Sequence, residues 1–272
     1  MGPVRSTGAR IGAVLAVAVL CLGFAPTAGA DRGPATSGRA PLEPVSPGVH
    51  PTPFSVGGAH GTQSSLNWAG YATSGATFST VTGSWSQPAV SCSGRSLAAF
   101  WVGLDGYSAS DPSVEQIGTD SDCAGRGRPS YYAWFEMYPS ALVVLPPAYP
   151  VAPGDTLTAT VAVDGSGYLL VLVDAGRWTY GTVQTPATRP LDASAEWIAE
   201  APTSCHGASC TVVKLADFGA VGFAGAEADG APVSSFAYDQ IDMATRSGKK
   251  LKASTSSLGP TGSSFTVSWL HS

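Results

Sequence analysis

From Ser65 to the end of the chain, short runs of Val, Thr, Ala and aromatic residues recur roughly every 10–15 residues. Gly, Pro or Asp-Gly closes nearly every one. A chain punctuated in this way has no room for long helices, and no stretch carries three turns of 3.6-residue amphipathic periodicity. The candidate strands are Leu66–Thr73, Thr77–Gln87, Leu97–Leu104, Ser130–Tyr138, Thr156–Val163, Tyr168–Val173, Trp178–Gln184, Ser194–Ala201, Thr211–Leu215, Val221–Ala224, Phe236–Met243 and Ser264–Leu270. Many short strands separated by turns predict an all-β domain, a sandwich or a barrel, over residues 63–272. Between the strands, Asp111 to Asp122 reads as a plain acidic loop, because its spacing matches no calcium-binding loop. Lys249-Lys250 with Lys252 reads as a solvated hairpin tip.

Upstream of the domain the composition changes twice. Arg5 and Arg10 precede an apolar stretch from Ile11 to Phe24, and Ala28-Gly29-Ala30 follows, so residues 1–30 read as a secretory signal peptide cleaved after Ala30. The stretch is too short for an ordinary membrane span, and no later segment reaches 18 apolar residues. Residues 31–62 are rich in Pro, Gly, Ser and Thr without apolar periodicity, as a disordered linker or a short pro-segment would be. Export leaves Cys92, Cys123, Cys205 and Cys210, and an oxidising compartment favours disulfides over a metal site. Of three connectivities, Cys205 with Cys210 closes a short local loop and leaves Cys92 with Cys123. The expected product is a secreted, monomeric protein that needs no metal or cofactor.

Charge and histidine content narrow the chemistry. The formal net charge is −5 and only 12% of residues are charged, so the basic stripe of a nucleic-acid-binding protein is missing. Four histidines occur: His50 and His60 precede the domain, His206 lies between Cys205 and Cys210, and His271 is next to last. None is placed to serve a Ser/His/Asp or Cys/His nucleophile, and no two have zinc-ligand spacing. The Asp-Thr-Gly and Asp-Ser-Gly signatures of aspartic peptidases are absent too. Hydrolysis by carboxylates and amides is what remains.

Three strands carry an unusual second face. Alternate residues of a sandwich strand point inward, and the others are ordinarily bland and polar. In Tyr131 to Pro139, Ala133, Phe135 and Met137 form the apolar face, opposite Tyr132, Trp134, Glu136 and Tyr138. In Phe100 to Asp105, Trp101, Gly103 and Asp105 lie opposite Phe100, Val102 and Leu104. In Ala195 to Glu200, Glu196, Ile198 and Glu200 lie opposite Ala195, Trp197 and Ala199. Aromatics interleaved with acids suggest a groove for an extended polymer.

The motifs themselves then point to a family. Asn67-Trp68-Ala69-Gly70, Trp101-Val102-Gly103-Leu104-Asp105-Gly106 and Gln116-Ile117-Gly118-Thr119-Asp120 occur in that order. Tyr132-Ala133-Trp134-Phe135-Glu136-Met137-Tyr138-Pro139, Glu196-Trp197-Ile198-Ala199-Glu200 and Leu215-Ala216-Asp217-Phe218-Gly219 follow. The series, from about Ser65 to Leu270, resembles the glutamic peptidases (eqolisins), with Met137 standing where an aromatic residue is usual. The resemblance implies a lectin-like sandwich of two antiparallel, about seven-stranded sheets with a concave substrate cleft. It also implies a catalytic Gln and Glu dyad, carried over to Gln116 and Glu200, that cleaves polypeptides at acidic pH. Trp68, Gly70, Trp101, Asp105, Asp120, Trp134, Glu136, Tyr138 and Glu196 fall on positions that line or brace the cleft.

Two other functions fit parts of the pattern. A lectin-like glycoside hydrolase could use Glu196 and Glu200, although such enzymes place an Asp midway where this chain has Ile198, and residues four apart on a strand lie about 13 Å apart. A non-catalytic carbohydrate- or peptide-binding module is the other.

Overall fold

The computed structural model describes residues 61–108, 110–125, 127–206 and 209–272, without the side chains at 125, 205, 206, 209 and 210. The expected signal peptide and nearly all of the expected linker lie outside these residues. In chain order the strands are β1 (Thr62–Ser65), β2 (Trp68–Ser74), β3 (Thr80–Ser86), β4 (Gly94–Leu104), β5 (Val114–Gly125) and β6 (Ser130–Tyr138). Next come β7 (Val143–Val144), β8 (Thr156–Asp164), β9 (Gly167–Asp174), β10 (Trp178–Gln184), β11 (Ser194–Glu200) and β12 (Thr203–His206). The last six are β13 (Ser209–Val212), β14 (Ala220–Ala228), β15 (Ala231–Pro232), β16 (Ala237–Ala244), β17 (Leu251–Thr255) and β18 (Phe265–Trp269). Among the described residues the only helical turn is a 3-10 turn at Val233–Ser235. The all-β expectation therefore holds.

Hydrogen bonding follows one path, β10-β9-β8-β3-β14-β18-β17-β16-β2-β11-β4-β5-β6-β7. β1 adds in parallel to β16, β15 pairs with β14, and β12 and β13 form a separate hairpin. The two halves of the path, seven strands each, face one another as the layers of a sandwich. Phe100, Val102, Ile117, Phe135 and Trp197 of the front half share one core with Val81, Trp85, Leu157, Leu170 and Phe223 of the back half. Polar side chains also tie the layers together. Trp197 Nε1 donates to the Thr82 carbonyl at 2.6 Å, and Trp85 Nε1 donates to Thr119 Oγ1 at 3.2 Å. Gln87 completes the set, accepting from Thr119 Oγ1 at 2.6 Å and donating to Ser121 Oγ at 2.8 Å. Each interlayer donor thus has an acceptor, as burial demands.

Two expectations fail here. The stretch Asp111 to Asp122 is not a loop: most of it is β5, a central strand between β4 and β6, with Asp120 and Asp122 buried. Acids lower strand propensity and masked the pattern, but the apolar Val114 and Ile117 and the layer-bridging Thr119 hold the strand against its neighbours. Lys252 is not at a solvated tip either. Lys249 and Lys250 are exposed, but Lys252 lies on β17, buried, with its Nζ donating to the Leu66 carbonyl at 3.2 Å. Burial pulls its ammonium down to about 8.

The Cys92–Cys123 disulfide joins the approach to β4 to β5. The Cys205 and Cys210 side chains lie outside the description. The register of β12 and β13 sets those two residues directly opposite each other.

Candidate active site

The front layer turns its second face away from the core, and register fixes which residues share a row there. Across β16, β2, β11, β4, β5 and β6, one row reads Asp239, Ala72, Glu196, Gly103, Gln116, Glu136. The next reads Ile241, Gly70, Ile198, Trp101, Gly118, Trp134. The third, starting at β2, reads Trp68, Glu200, Ala99, Asp120, Tyr132. Period-two alternation of the strands delivers all of these to one face. The middle row is apolar, and the row on each side of it carries carboxyl groups, joined in the first row by the Gln116 amide.

The aromatics form a floor. Trp68, Ala72, Ala99, Trp101, Trp134, Ile198 and Ile241 pack into a second buried cluster, separate from the core between the layers. Trp68 and Trp101 meet edge to face with centroids 4.9 Å apart. Trp101 and Trp134 are fully buried, and Tyr107, Tyr132 and Leu142 stand half-exposed at the margins.

Gln116 and Glu196 lie two strands apart in one row, about 10 Å between Cα atoms at ordinary strand spacing. The residue between them is Gly103. A Cβ there would sit 3.2 Å from Gln116 Cβ and 3.1 Å from the Trp101 ring, so the gap depends on glycine. Gln116 Nε2 donates to Glu136 Oε2 at 2.7 Å, and its Oε1 is buried without a protein partner. Of the two ends of an amide, a carboxylate can accept only from the N–H end, so this contact assigns which way round the amide sits. Both carboxyl oxygens of Glu196 are buried, and neither accepts a well-formed hydrogen bond, the Ser194 hydroxyl being a weak neighbour at most. Burial, above all, holds Glu196 well above the usual carboxylate range; Asp105, Asp111 and Glu115 add to the effect, and the Ser194 hydroxyl works against it.

Glu200 is held differently. Its Oε2 accepts from Trp101 Nε1 at 2.9 Å and its Oε1 from Asn67 Nδ2 at 3.2 Å. It lies two rows away from Gln116, about 13 Å along the strand direction.

The other acids are also buried. Asp120 and Asp122 face each other along β5; Asp120 accepts from the Ser121 N–H at 2.8 Å and Asp122 from Tyr132 Oη at 3.2 Å. Burial raises both, Asp122 to about 6, and the negative charge of Asp122 raises Asp120 further. Asp105 lies at the end of β4 with φ 64°, accepting the N–H groups of Leu191, Asp192 and Ala193 at 2.7, 2.8 and 2.7 Å. It braces the approach to β11. Gly70, with φ 147°, passes so close to the Trp197 carbonyl that a Cβ would lie 2.0 Å from its oxygen. Tyr138 ends β6 on the face of Glu136, half-exposed. Among the described residues no group of three His, Cys, Asp or Glu is arranged to hold a metal ion.

Sequence reasoning did not mark Asn67, Tyr107, Asp122 or Asp239 as site residues. Asp122 sat inside the supposed loop. Asp239 reaches the site only through the β16–β2 pairing, which no local pattern announces.

Comparison with known proteins places the fold in a family. The family model described as the peptidase A4 family matches residues 66–269. Aspergillopepsin-2 of Aspergillus niger is 29% identical over 209 residues, 68% of this chain and 72% of that protein. The crystal structure of aspergilloglutamic peptidase from Aspergillus niger superposes with a TM-score of 0.53 at 26% identity, covering 64% of this chain and 99% of that one. Scytalido-glutamic peptidase, solved with a transition state analog inhibitor, shares the fold with a TM-score of 0.65 at 22% identity, covering 75% of this chain and 98% of that one.

Proposed function

The chain belongs to the peptidase A4 family, the glutamic peptidases, and on that premise we propose that it is a secreted acid endopeptidase whose dyad is Gln116 with Glu196. The observation that carries the dyad is the shared row, in which Gln116 and Glu196 flank Gly103 on the same face. Sequence motifs favoured Glu200 as the base. Its two oxygens, however, are engaged by Trp101 and Asn67, and it is offset from Gln116 along the strands. Glu196 has uncommitted oxygens and lies opposite the amide. Glu200 instead anchors the Trp101 indole, whose far edge lies against Gly103. Secretion is supported by the Arg5-to-Ala30 pattern and by the Cys92–Cys123 disulfide.

The reaction runs in two proton transfers. Glu196 as carboxylate takes a proton from water, and the hydroxide adds to the scissile carbonyl carbon. Gln116 Nε2 keeps one N–H on Glu136 and directs the other at the developing oxyanion, a contribution of roughly 3–4 kcal/mol for comparable donors. Glu196 then gives its proton to the leaving nitrogen as the carbon–nitrogen bond breaks. No side chain is consumed.

The purified protein should digest casein and leave β-glucan untouched at acidic pH. Glu196→Gln should abolish that digestion with the fold intact by circular dichroism. Gln116→Ala should reduce kcat by about 10²–10³. Glu200→Gln should retain measurable turnover. An inactive but folded Glu200→Gln beside an active Glu196→Gln would return the base to Glu200; cleavage of β-glucan would favour the glycosidase.

A further inference from the structure

One wall of the groove is built by residues that take no part in this chemistry. Tyr107 follows two residues in left-handed backbone, Asp105 and Gly106 (φ 64° and 92°). Asp111 Oδ2 fixes the same turn by accepting the Gly106 and Ser108 N–H groups, both at 3.2 Å. From this turn, at the end of β4, the Tyr107 hydroxyl reaches β16 and donates to Asp239 Oδ2 at 2.7 Å. Two strands, β11 and β2, lie between β4 and β16. The row that contains Asp239 reads Asp239, Ala72, Glu196, Gly103 across them. The ring therefore spans the layer beside Glu196, close enough for the two groups to interact electrostatically. It packs on the apolar floor. Its anchor is also held: Asp239 Oδ1 accepts the Gly61 N–H at 2.9 Å and Gln63 Nε2 at 3.4 Å. A half-exposed ring tied at both ends is a rigid obstacle.

We propose that Tyr107, tethered by Asp239, is a specificity-determining wall of the peptide groove, selecting small apolar side chains beside the scissile bond on the β16 side of Glu196. This rests on reading Gln116 and Glu196 as the dyad. Size selection follows from the geometry: tethered across the Asp239, Ala72, Glu196 row and packed on the cluster that holds Ala72 and Ile241, the ring occupies room beside Glu196 that a large substrate side chain would need. Polarity selection follows from the surroundings. Glu196 and Asp239 flank the space, so an acidic substrate side chain would meet two carboxyl groups with no cation among the residues named here to offset them.

The experiment compares the full-length protein with Tyr107→Phe and Tyr107→Ala on two peptide series. Each series varies one residue, on one side or the other of the scissile bond, from Ala through Leu and Phe to Glu. In wild type, one series should fall steeply from Ala to Phe. Tyr107→Ala should raise kcat/KM for the Phe peptide of that series by about tenfold relative to Ala, the scale on which pockets discriminate small size differences. Tyr107→Phe, which loses only the tether, should shift the same series part of the way, and the change should appear in KM. The second series and the pH profile should not move. Equal losses on every peptide would make the ring merely structural and overturn the proposal, as would an unmoved ladder. Binding of the same peptides to Glu196→Gln, with and without Tyr107→Ala, separates the two readings. If nothing is cleaved yet binding still ranks by size and Tyr107→Ala levels it, the dyad falls and the wall stands.

Discussion

Asp105 accepts three consecutive backbone N–H groups while holding a left-handed φ that favours Gly, Asn or Asp. Replacing it with Ala removes the acceptor of three N–H groups in a partly exposed turn, where water replaces it in part, a net loss of about 1–3 kcal/mol in all. Asp105→Ala should therefore lower unfolding free energy by about 1–3 kcal/mol in denaturant melts. A loss under 1 kcal/mol would mean that the 191–193 turn finds other acceptors. The same scale explains what the sequence concealed about the acids. Asp105, Glu136, Glu196 and Glu200 are all recognisable from motif position. Their division of labour is not, because it depends on which oxygens Trp101, Asn67 and backbone N–H groups occupy. Those partners come from distant strands.

Most elements were legible because apolar alternation and Gly/Pro breaks are local signals. The starts of β6, β8 and β10 at Ser130, Thr156 and Trp178 coincide with the sequence expectation. β5 was not legible, since Glu115, Asp120 and Asp122 interrupt its apolar positions and only neighbouring strands justify their burial. β17 escaped for the same reason, with Lys252 in a buried position. The disulfide pins β5 to the approach to β4, closing 31 residues of sequence separation. Cross-links over loops of that size stabilise by roughly 3–4 kcal/mol. Cys92→Ser with Cys123→Ser should lose about that much, and hydrogen exchange should quicken first where β4 begins and β5 ends. Uniform exchange throughout the molecule would show instead that the cross-link acts only on the unfolded chain.

For the whole molecule the buried acids set a pH window. Burial pushes Glu115 up to about 8 and Asp122 up to about 6, and Asp120 and Glu196 also lie well above ordinary values. Between its ordinary and its raised pKa, each group is protonated in the fold but ionised in the unfolded chain, so unfolding releases protons in that interval and the fold ionises only above it. Stability is thus fully present below about pH 4 and falls as pH rises through 6 and then 8. Lys252 acts in the other direction only above about 8. Melting temperature should drop from pH 4 to pH 8, and Glu115→Gln should flatten the upper part of that decline; a flat or rising curve would contradict the assignment. Activity should need ionised Glu196, whose burial raises it, so its acidic limb should lie to the neutral side of that of a solvated glutamate, whereas its alkaline limb should track lost near-ultraviolet circular dichroism. The alternation of the front strands has a further consequence. One set of letters in each strand writes the scaffold, and the set between them writes the tool, so an engineer can re-cut the blade without reforging the handle.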